Sequence, residues 1–324
     1  MTRNLRADID LVAEASIAAL RAPSILNTQP WRWRLAGDHA ELWADRSRQL
    51  AGIDPDGRLL LLSCGTALHH ASAALHAAGY DADAQRLPDP DRPDLVARVR
   101  GGAPRPDAVR AADERLAAAI EQRHTDRRPF GDERPAAAVL DALRAAAQRH
   151  RVHLQVVRDE QLTAFAAAVA HAGAVEQADP RFRADLLAWT ARPGAEGIAA
   201  KHVVAADRRT VAPRDFTVVG GLEPGPGSDR GTVYALLVTD GDEPRDWLAA
   251  GEALSDVWLT LTAHGLVASP ISEVVEVAAV RHALRGLLGG VGNPAIALRV
   301  GVPVTDEAPP ASGRRSASAT ITAG

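Results

Sequence analysis

The sequence predicts an α+β protein built from two similar α+β units fused in tandem. Its 324 residues are enough for two units at about 150 residues each. Strand-like alternation and helical periodicity recur along the whole chain. One stretch also repeats. Gly65-Thr66-Ala67-Leu68 opens a segment that closes at Leu75-His76-Ala77-Ala78-Gly79, and Gly251-Glu252-Ala253-Leu254 opens one that closes at Leu261-Thr262-Ala263-His264-Gly265. Both span fourteen steps between glycines, at an offset of 186, and each follows a strand pattern (Ala40 to Ala44, Thr232 to Thr239). Such a fusion can mimic a homodimer inside one chain.

The elements follow in order. Asp8 to Ala22 carries Ile9, Val12, Ala13, Ile17 and Leu20 on one helical face, and Pro23 ends it. Trp31 to Leu35 and Ala40 to Ala44 alternate as a hairpin around Gly37-Asp38. Asp54 to Gly57 reads as the capped start of a long helix. A strand at Asp81 to Leu87 precedes the breaker Pro88-Asp89-Pro90-Asp91-Arg92-Pro93. A strand near Leu95 to Val99 leads to a loop from Gly101 to Pro106. Helices are expected at Val109 to Gln122 and Ala136 to His150, and a strand at Val152 to Val157. Gln161 to Trp189 is mostly helical, and Gly220 to Gly227 is a loop. A strand (Thr232 to Thr239), a helix (Trp247 to His264) and a strand (Ala295 to Val300) precede an irregular tail. The expected units are 1–115 and 116–324.

Composition excludes several classes. The 37 basic and 41 acidic residues leave a net charge of −4, without the basic excess that nucleic acid or an anionic membrane would select. A single cysteine, Cys64, rules out a disulfide framework and cysteine-based metal centres. Leu59 to Tyr80 holds no Asp, Glu, Lys or Arg, but its three histidines, two serines and Ala-rich second half suit a buried helix better than a bilayer span. With no apolar leader at the start, the expectation is a soluble, cytoplasmic protein. Lys201 is the only lysine, so any phosphate would be recognised by arginine, hydroxyls and backbone N–H groups.

Four segments could carry chemistry. In Arg21-Ala22-Pro23-Ser24-Ile25-Leu26-Asn27-Thr28-Gln29-Pro30-Trp31, two prolines flank a hydroxyl and two amides; the segment is either a ligand-facing edge or a turn capped by Ser and Asn. Arg123-His124-Thr125-Asp126-Arg127-Arg128-Pro129-Phe130 is either an anion clamp or a solvated basic helix end. Gly265-Leu266-Val267-Ala268-Ser269-Pro270-Ile271-Ser272-Glu273 holds an extended Pro270 that frees the N–H groups after it, or is an ordinary turn. Ser312-Gly313-Arg314-Arg315-Ser316 is a basic end or an arm closing on an anion. The glycines from Gly286 to Gly292 follow a helix instead of opening one, which argues against a phosphate loop. His69, His70 and His76 lack metal-site spacing and read as core or interface residues, so no metal is expected.

Together these segments resemble the nitroreductase-like FMN proteins and, more closely, the Acg family, a tandem-fused branch of that superfamily with one flavin site. Ala22 to Trp31, Gln49 to Gly79 and Arg123 to Phe130 carry the resemblance most specifically. It implies one FMN per chain at the seam between the units, with NAD(P)H as reductant. Arg123, His124, Thr125 and Arg127 would hold phosphate and ribityl groups; Pro270, Ile271 and Ser272 would line the ring, with backbone N–H near flavin N5. Arg314 and Arg315 would close on the phosphate. Pro23, Ser24 and Asn27 would reach the flavin from the first unit, with Gln29 and Trp31 fixing that segment. A second, symmetry-related site is not expected: Arg6-Ala7-Asp8, Tyr80-Asp81-Ala82-Asp83 and Arg151-Val152-His153 stand where its motifs would be.

The resemblance supports a redox enzyme that passes electrons from NAD(P)H to a nitro group, quinone or related acceptor, with no obvious general acid in the matched segments. The alternative is a protein that sequesters FMN under a lid at 210–227, where Phe216 and Val218 would cover the ring. A scaffold without flavin is the third reading. An internally paired chain is expected to be a monomer or a weak homodimer, with a small-molecule substrate, no nucleic acid and no membrane.

Overall fold

Apolar residues at helical and strand spacing sort this chain into two sheets joined by two long helices. The computed structural model describes residues 5–190, 192, 194–205, 209–216 and 218–324, with the backbone alone for 5–7. The first part runs α1 (Leu5–Ala19), β1 (Trp31–Ala36), β2 (His39–Ala44), α2 (Arg58–Ala77), β3 (Tyr80–Arg86), β4 (Leu95–Pro104) and α3 (Asp107–Gln122). Then come α4 (Ala137–Gln148), β5 (His153–Val156), α5 (Leu162–Ala178), α6 (Pro180–Thr190), β6 (Val233–Thr239), α7 (Pro244–Ala263) and β7 (Val267–Ile271). The chain ends with α8 (Glu273–Glu276), α9 (Ala278–Leu287), β8 (Asn293–Gly301), α10 (Ala317–Thr320) and β9 (Ile321–Ala323).

The first sheet has the order β3-β4-β2-β1-β9 and the second β5-β6-β8-β7. All pairings are antiparallel except β1 with β9. In β1 the alternation predicted from sequence buries Trp31 and Trp33 and exposes Arg32 and Arg34. Every residue of β6 is buried, as its apolar run requires.

Helices α2 and α7, the repeated segments, form the seam, and their contacts are reciprocal. A Cβ at Gly65 would strike Leu248 O, and one at Gly251 would strike Leu62 O. Leu62 and Leu248 are themselves separated by 186, as are Gly65 and Gly251 and the hydrogen-bonded pair His69 and Ser255. Position i meeting j while the equivalent of j meets the equivalent of i is the pattern of an isologous two-fold contact. The cores are exchanged in the same way. Leu248 of α7 joins the core over the first sheet, and Leu62 of α2 joins the core over the second. Only a residue without a side chain lets the two backbones approach this closely.

Several boundaries differ from expectation. The segment read as a loop from Gly101 is the end of β4, which continues to Pro104 because β3 pairs with it through Arg100, Gly101 and Pro104. The tail is not irregular throughout: after Ser316 it forms α10 and then β9, whose backbone pairs with Trp33 to Leu35. The boundary expected at 115/116 lies inside α3, and β9 places the last residues in the first sheet. Among the described residues no helix is long and apolar enough to cross a membrane. Leu60, Leu68 and Leu75, in the uncharged stretch of α2 that follows Arg58, lie within the protein core.

Candidate functional site

A cavity of about 300 Å³ lies where the turn after α1, the end of α3, the edge strand β7 and the tail meet. The turn gathers three of the six non-glycine residues with positive φ among the described residues. Leu26, Asn27 and Gln29 all have positive φ, at 43°, 54° and 48°, a conformation unfavourable to residues with side chains. Polar anchors hold it: Ser24 Oγ accepts from Gln29 N at 2.9 Å, Ser63 Oγ accepts from Ile25 N at 3.1 Å, and Thr66 donates to Pro23 O at 2.6 Å. Strain kept in place by surrounding contacts is characteristic of binding and catalytic segments.

The arginine segment leaves α3 extended and lies along the free edge of β7. Thr125 bridges Ala268, and Asp126 N donates to Ala268 O at 3.0 Å. Proline is tolerated in β7 because that strand is an edge of its sheet; the Ser-Pro-Ile segment, for which an ordinary turn stood open, is this strand. Asp126 binds Arg128 through both oxygens, drawing Arg128 away from the cavity. Arg299 of β8 fixes the same stretch, donating to Asp126 O and Arg128 O while paired with Asp229.

Arg123, His124, Thr125 and Arg127 therefore line the cavity, together with Pro23, Ser24, Asn27, Pro270, Ile271, Ser272 and Arg314. Arg123 is only 8% exposed and stacks on Trp258 of α7, 4.8 Å from the ring centre, while one nitrogen donates to Arg21 O at 3.1 Å. Arg314 donates to Arg21 O and to Asn27 Oδ1, joining the tail to the strained turn. Arg127 lies over Phe216 at 5.0 Å and donates to His202 O. Among the described residues none of Arg123, Arg127 and Arg314 forms an ion pair with a carboxylate. Burial, reinforced by Arg314 and Arg21, pushes Arg123 down to about 9; burial pushes Arg127 and Arg314 down to about 10. Arg123 Nε, Arg314 Nε and His124 Nε2 are buried without hydrogen-bond partners. The arrangement thus presents unanswered donors and positive charge to a single space, which suits a phosphate or another strong anion.

Arg315 is the exception. It does not line the cavity; its guanidinium donates to Gln29 O, Trp31 O and Ala319 O, and its N–H to Gln29 Oε1. Adjacent residues in an extended segment point opposite ways, so only Arg314 faces in. Gln29 also donates to Ala195 O, tying the turn down as expected. From the segment read as a lid, Val211, Ala212, Pro213, Arg214 and Phe216 line the cavity and Val218 packs on the core beside it; Thr217 lies outside the described residues.

Sequence reasoning missed Arg209, Arg214, Trp258, Glu273 and Arg299 as cavity residues. Trp258 and Arg299 sit in regular elements with no local motif, and only the packing of α7 and β8 brings them in. The histidines are elsewhere. His69, His150 and Asp256 come within 4.8 Å of one another at the seam. Arg149 already holds both Asp256 oxygens, and His150 takes one of them at 2.9 Å. Burial pushes His69 down to about 3, so it is neutral. This is a buried hydrogen-bonded ion-pair network at the helix crossing.

Two sheets joined by a reciprocal helix seam thus frame one arginine-lined cavity, and the full-length relatives of the chain carry nitroreductase names. The chain is 37% identical over 97% of its length to "Putative NAD(P)H nitroreductase Rv3131" of Mycobacterium tuberculosis H37Rv, covering 92% of that protein. It is 36% identical over 94% of its length to "Putative NAD(P)H nitroreductase acg" of the same organism, covering 93% of it. The chain belongs to the Acg-type NAD(P)H nitroreductase family. No family model matches it. Among solved structures it is similar to the FMN-dependent nitroreductase NfnB from Mycobacterium smegmatis in complex with NADPH (19% identity, 66% of this chain and 98% of that one, TM-score 0.40). It is also similar to a nitroreductase with bound FMN from Bacteroides fragilis NCTC 9343 (12%, 62% and 95%, TM-score 0.40). Family membership rests on the full-length relatives and not on these partial overlaps.

Proposed function

We propose that the cavity holds one FMN per chain and that the protein is an NAD(P)H-dependent oxidoreductase reducing a nitro group, a quinone or a related acceptor. One observation carries this reading: three buried guanidiniums, Arg123, Arg127 and Arg314, face one cavity, none in ion-pair contact with a carboxylate among the described residues, with Glu273 of the same wall the acid that acts on Arg127. Buried charge without a counter-charge costs several kcal/mol, and a bound phosphate would offset that cost. The unpartnered nitrogens of Arg123, Arg314 and His124 fit such a group. His124 and Thr125 would complete the phosphate and ribityl contacts; Pro270, Ile271 and Ser272 would line the ring; Pro23, Ser24 and Asn27 would close it from the other unit. When bound, FMN supplies two-electron transfer between a nicotinamide and the acceptor, and the names of the full-length relatives support that chemistry. We take it to work as a monomer, because the two-fold contact a dimer would make is already satisfied within one chain.

A second reading, sequestration of FMN, is favoured by the cover: Phe216 is buried over Arg127, and Val211, Pro213 and Arg214 wall the same side. An absorption spectrum before and after anaerobic NADPH separates the readings. A yellow protein bleached within the turnover time supports the oxidoreductase; a yellow protein that NADPH does not bleach supports sequestration; a colourless protein that fails to take up added FMN refutes both.

A further inference from the structure

The cavity wall contains a buried acid cluster that the flavin reading leaves unused. Glu273 opens α8 and lines the main cavity. Glu276, at the other end of α8, lines a second cavity of about 140 Å³. Glu176 approaches from α5. All three surround Arg214: its Nη2 contacts both Glu276 Oε2 and Glu176 Oε1, the latter at 3.1 Å, and its Nε lies 3.7 Å from Glu273 Oε1. Arg127, on the main-cavity side, is the other cation acting on Glu273, and Asp54 lines the second cavity with Glu276. Leu59 and Leu62 line both cavities and so stand between them. The second cavity reaches the surface at Asp56, which is 63% exposed.

Charge counting sets the state of the cluster. Among the described residues, three carboxylates surround the one guanidinium of Arg214; Arg127 acts on Glu273 from the main cavity, and Arg281 and Arg58, the latter paired with Asp56 and Asp242, line the second cavity with Glu276, so full ionisation of the three would crowd buried negative charge onto Arg214. That cost is avoided by keeping a proton. Burial drives Glu176 up to about 9, with Glu276 and Glu273 adding to it against Arg214; burial also raises Glu273, and raises Asp54 to about 6. An independent feature marks the direction of supply. Glu276 Oε1 is buried without a hydrogen-bond partner, on a side chain with no exposed surface, in the wall of the second cavity.

We propose that Glu276, Glu176 and Glu273, gathered on Arg214, form a proton relay from the second cavity to the main one, with Glu273 delivering the proton to the acceptor reduced there. The proposal rests on the flavin reading, which names NAD(P)H as the reductant. Two-electron reduction of a quinone or nitro acceptor leaves an anionic oxygen. The Glu273 O–H bond breaks, that proton bonds to the anionic oxygen, and Glu273 is left as carboxylate. A proton shared among the carboxylates on Arg214 restores Glu273, and solvent water entering past Asp56 and Asp54 reprotonates Glu276. No external acid has to enter beneath the cover.

Infrared spectroscopy of the purified protein, in its flavin-bound and flavin-free forms, tests the resting state. A protonated-carboxyl stretch should persist at pH 7.5 and weaken in Glu176→Gln and Glu273→Gln. Steady-state kinetics tests the relay. Glu276→Gln and Glu273→Gln should each stay yellow, while kcat falls about tenfold or more above neutral pH, KM for NADPH changes less, and the alkaline limb of the profile moves to lower pH. A yellow protein with no protonated-carboxyl band, or with variant pH profiles matching wild type, overturns the relay alone. A colourless wild-type protein that takes up no FMN overturns the flavin reading and the relay with it.

Discussion

Replacing Arg123 by Met removes one buried charge and keeps most of the stem that packs on Trp258, so it separates the electrostatic from the packing role of that residue. Burial and Arg314 hold the guanidinium at about 9 in place of 12.5. At about 1.4 kcal/mol per tenfold, the charged form carries roughly 5 kcal/mol of strain in the flavin-free protein at neutral pH. The sign follows from linkage. Below pH 9 both folded and unfolded states carry the charge, so the whole penalty is felt; above it the folded state sheds its proton and the penalty declines. Met relieves this strain but forfeits the hydrogen bond to Arg21 O and the contact with the Trp258 ring, together about 1–3 kcal/mol. The flavin-free variant is therefore expected to be more stable than wild type by about 2–4 kcal/mol, roughly 2–4 °C in Tm per kcal/mol. Flavin affinity should move the other way. Losing a buried charge-assisted phosphate contact costs about 2–4 kcal/mol, a roughly 30- to 700-fold rise in Kd. Thermal melts of the flavin-free proteins and fluorescence titration with FMN measure the two quantities. Unchanged FMN affinity, or a flavin-free variant less stable than wild type, would refute the reasoning.

Other predictions concern the seam, the tail and pH. Gly251→Ala and Gly65→Ala should each destabilise by about 1–3 kcal/mol in urea melts, because the added methyl meets backbone oxygen that cannot move aside. Gly173→Ala in α5, where nothing lies within 4 Å, should instead stabilise by about 0.5–1 kcal/mol. Arg315→Ala should leave FMN affinity within about twofold while exposing the 316–323 tail to proteolysis, since its side chain holds Gln29, Trp31, Ala319 and Glu196 and does not line the cavity. Burial alone would raise the Asp256 carboxyl, but the hydrogen bonds from His150 and Arg149 outweigh it and hold the group well below its ordinary 3.8. Its stabilisation is present above that pH and is lost as pH falls further. Asp256→Asn should cost about 3–5 kcal/mol at pH 7, with a deficit that shrinks in melts taken below pH 4.

The local chemistry of this protein was legible in its sequence. The helix and strand periods, the glycine-framed repeat at an offset of 186, and the three cavity segments around Ser24, Arg123 and Pro270 are all short-range patterns. They are readable because backbone preferences and apolar spacing act over a few residues. The long loop between α6 and β6 and the tail carried no such period, so α10, β9 and the inward set of Arg209 and Arg214 went unread.

What only the tertiary structure decided is which of those patterns meet. Sequence could not distinguish Arg314 from Arg315, since both are adjacent arginines in an extended tail; the pairing of β9 with β1 and the clamp on Gln29 turn one inward and the other onto the first sheet. Nor could it show that Arg123, Arg127 and Arg314 share one space without an ion pair to a carboxylate among the described residues, or that Glu176, Glu273 and Glu276 crowd onto Arg214. Electrostatic energy depends on distance and burial in three dimensions, and these charges are brought together by folding from positions far apart along the chain.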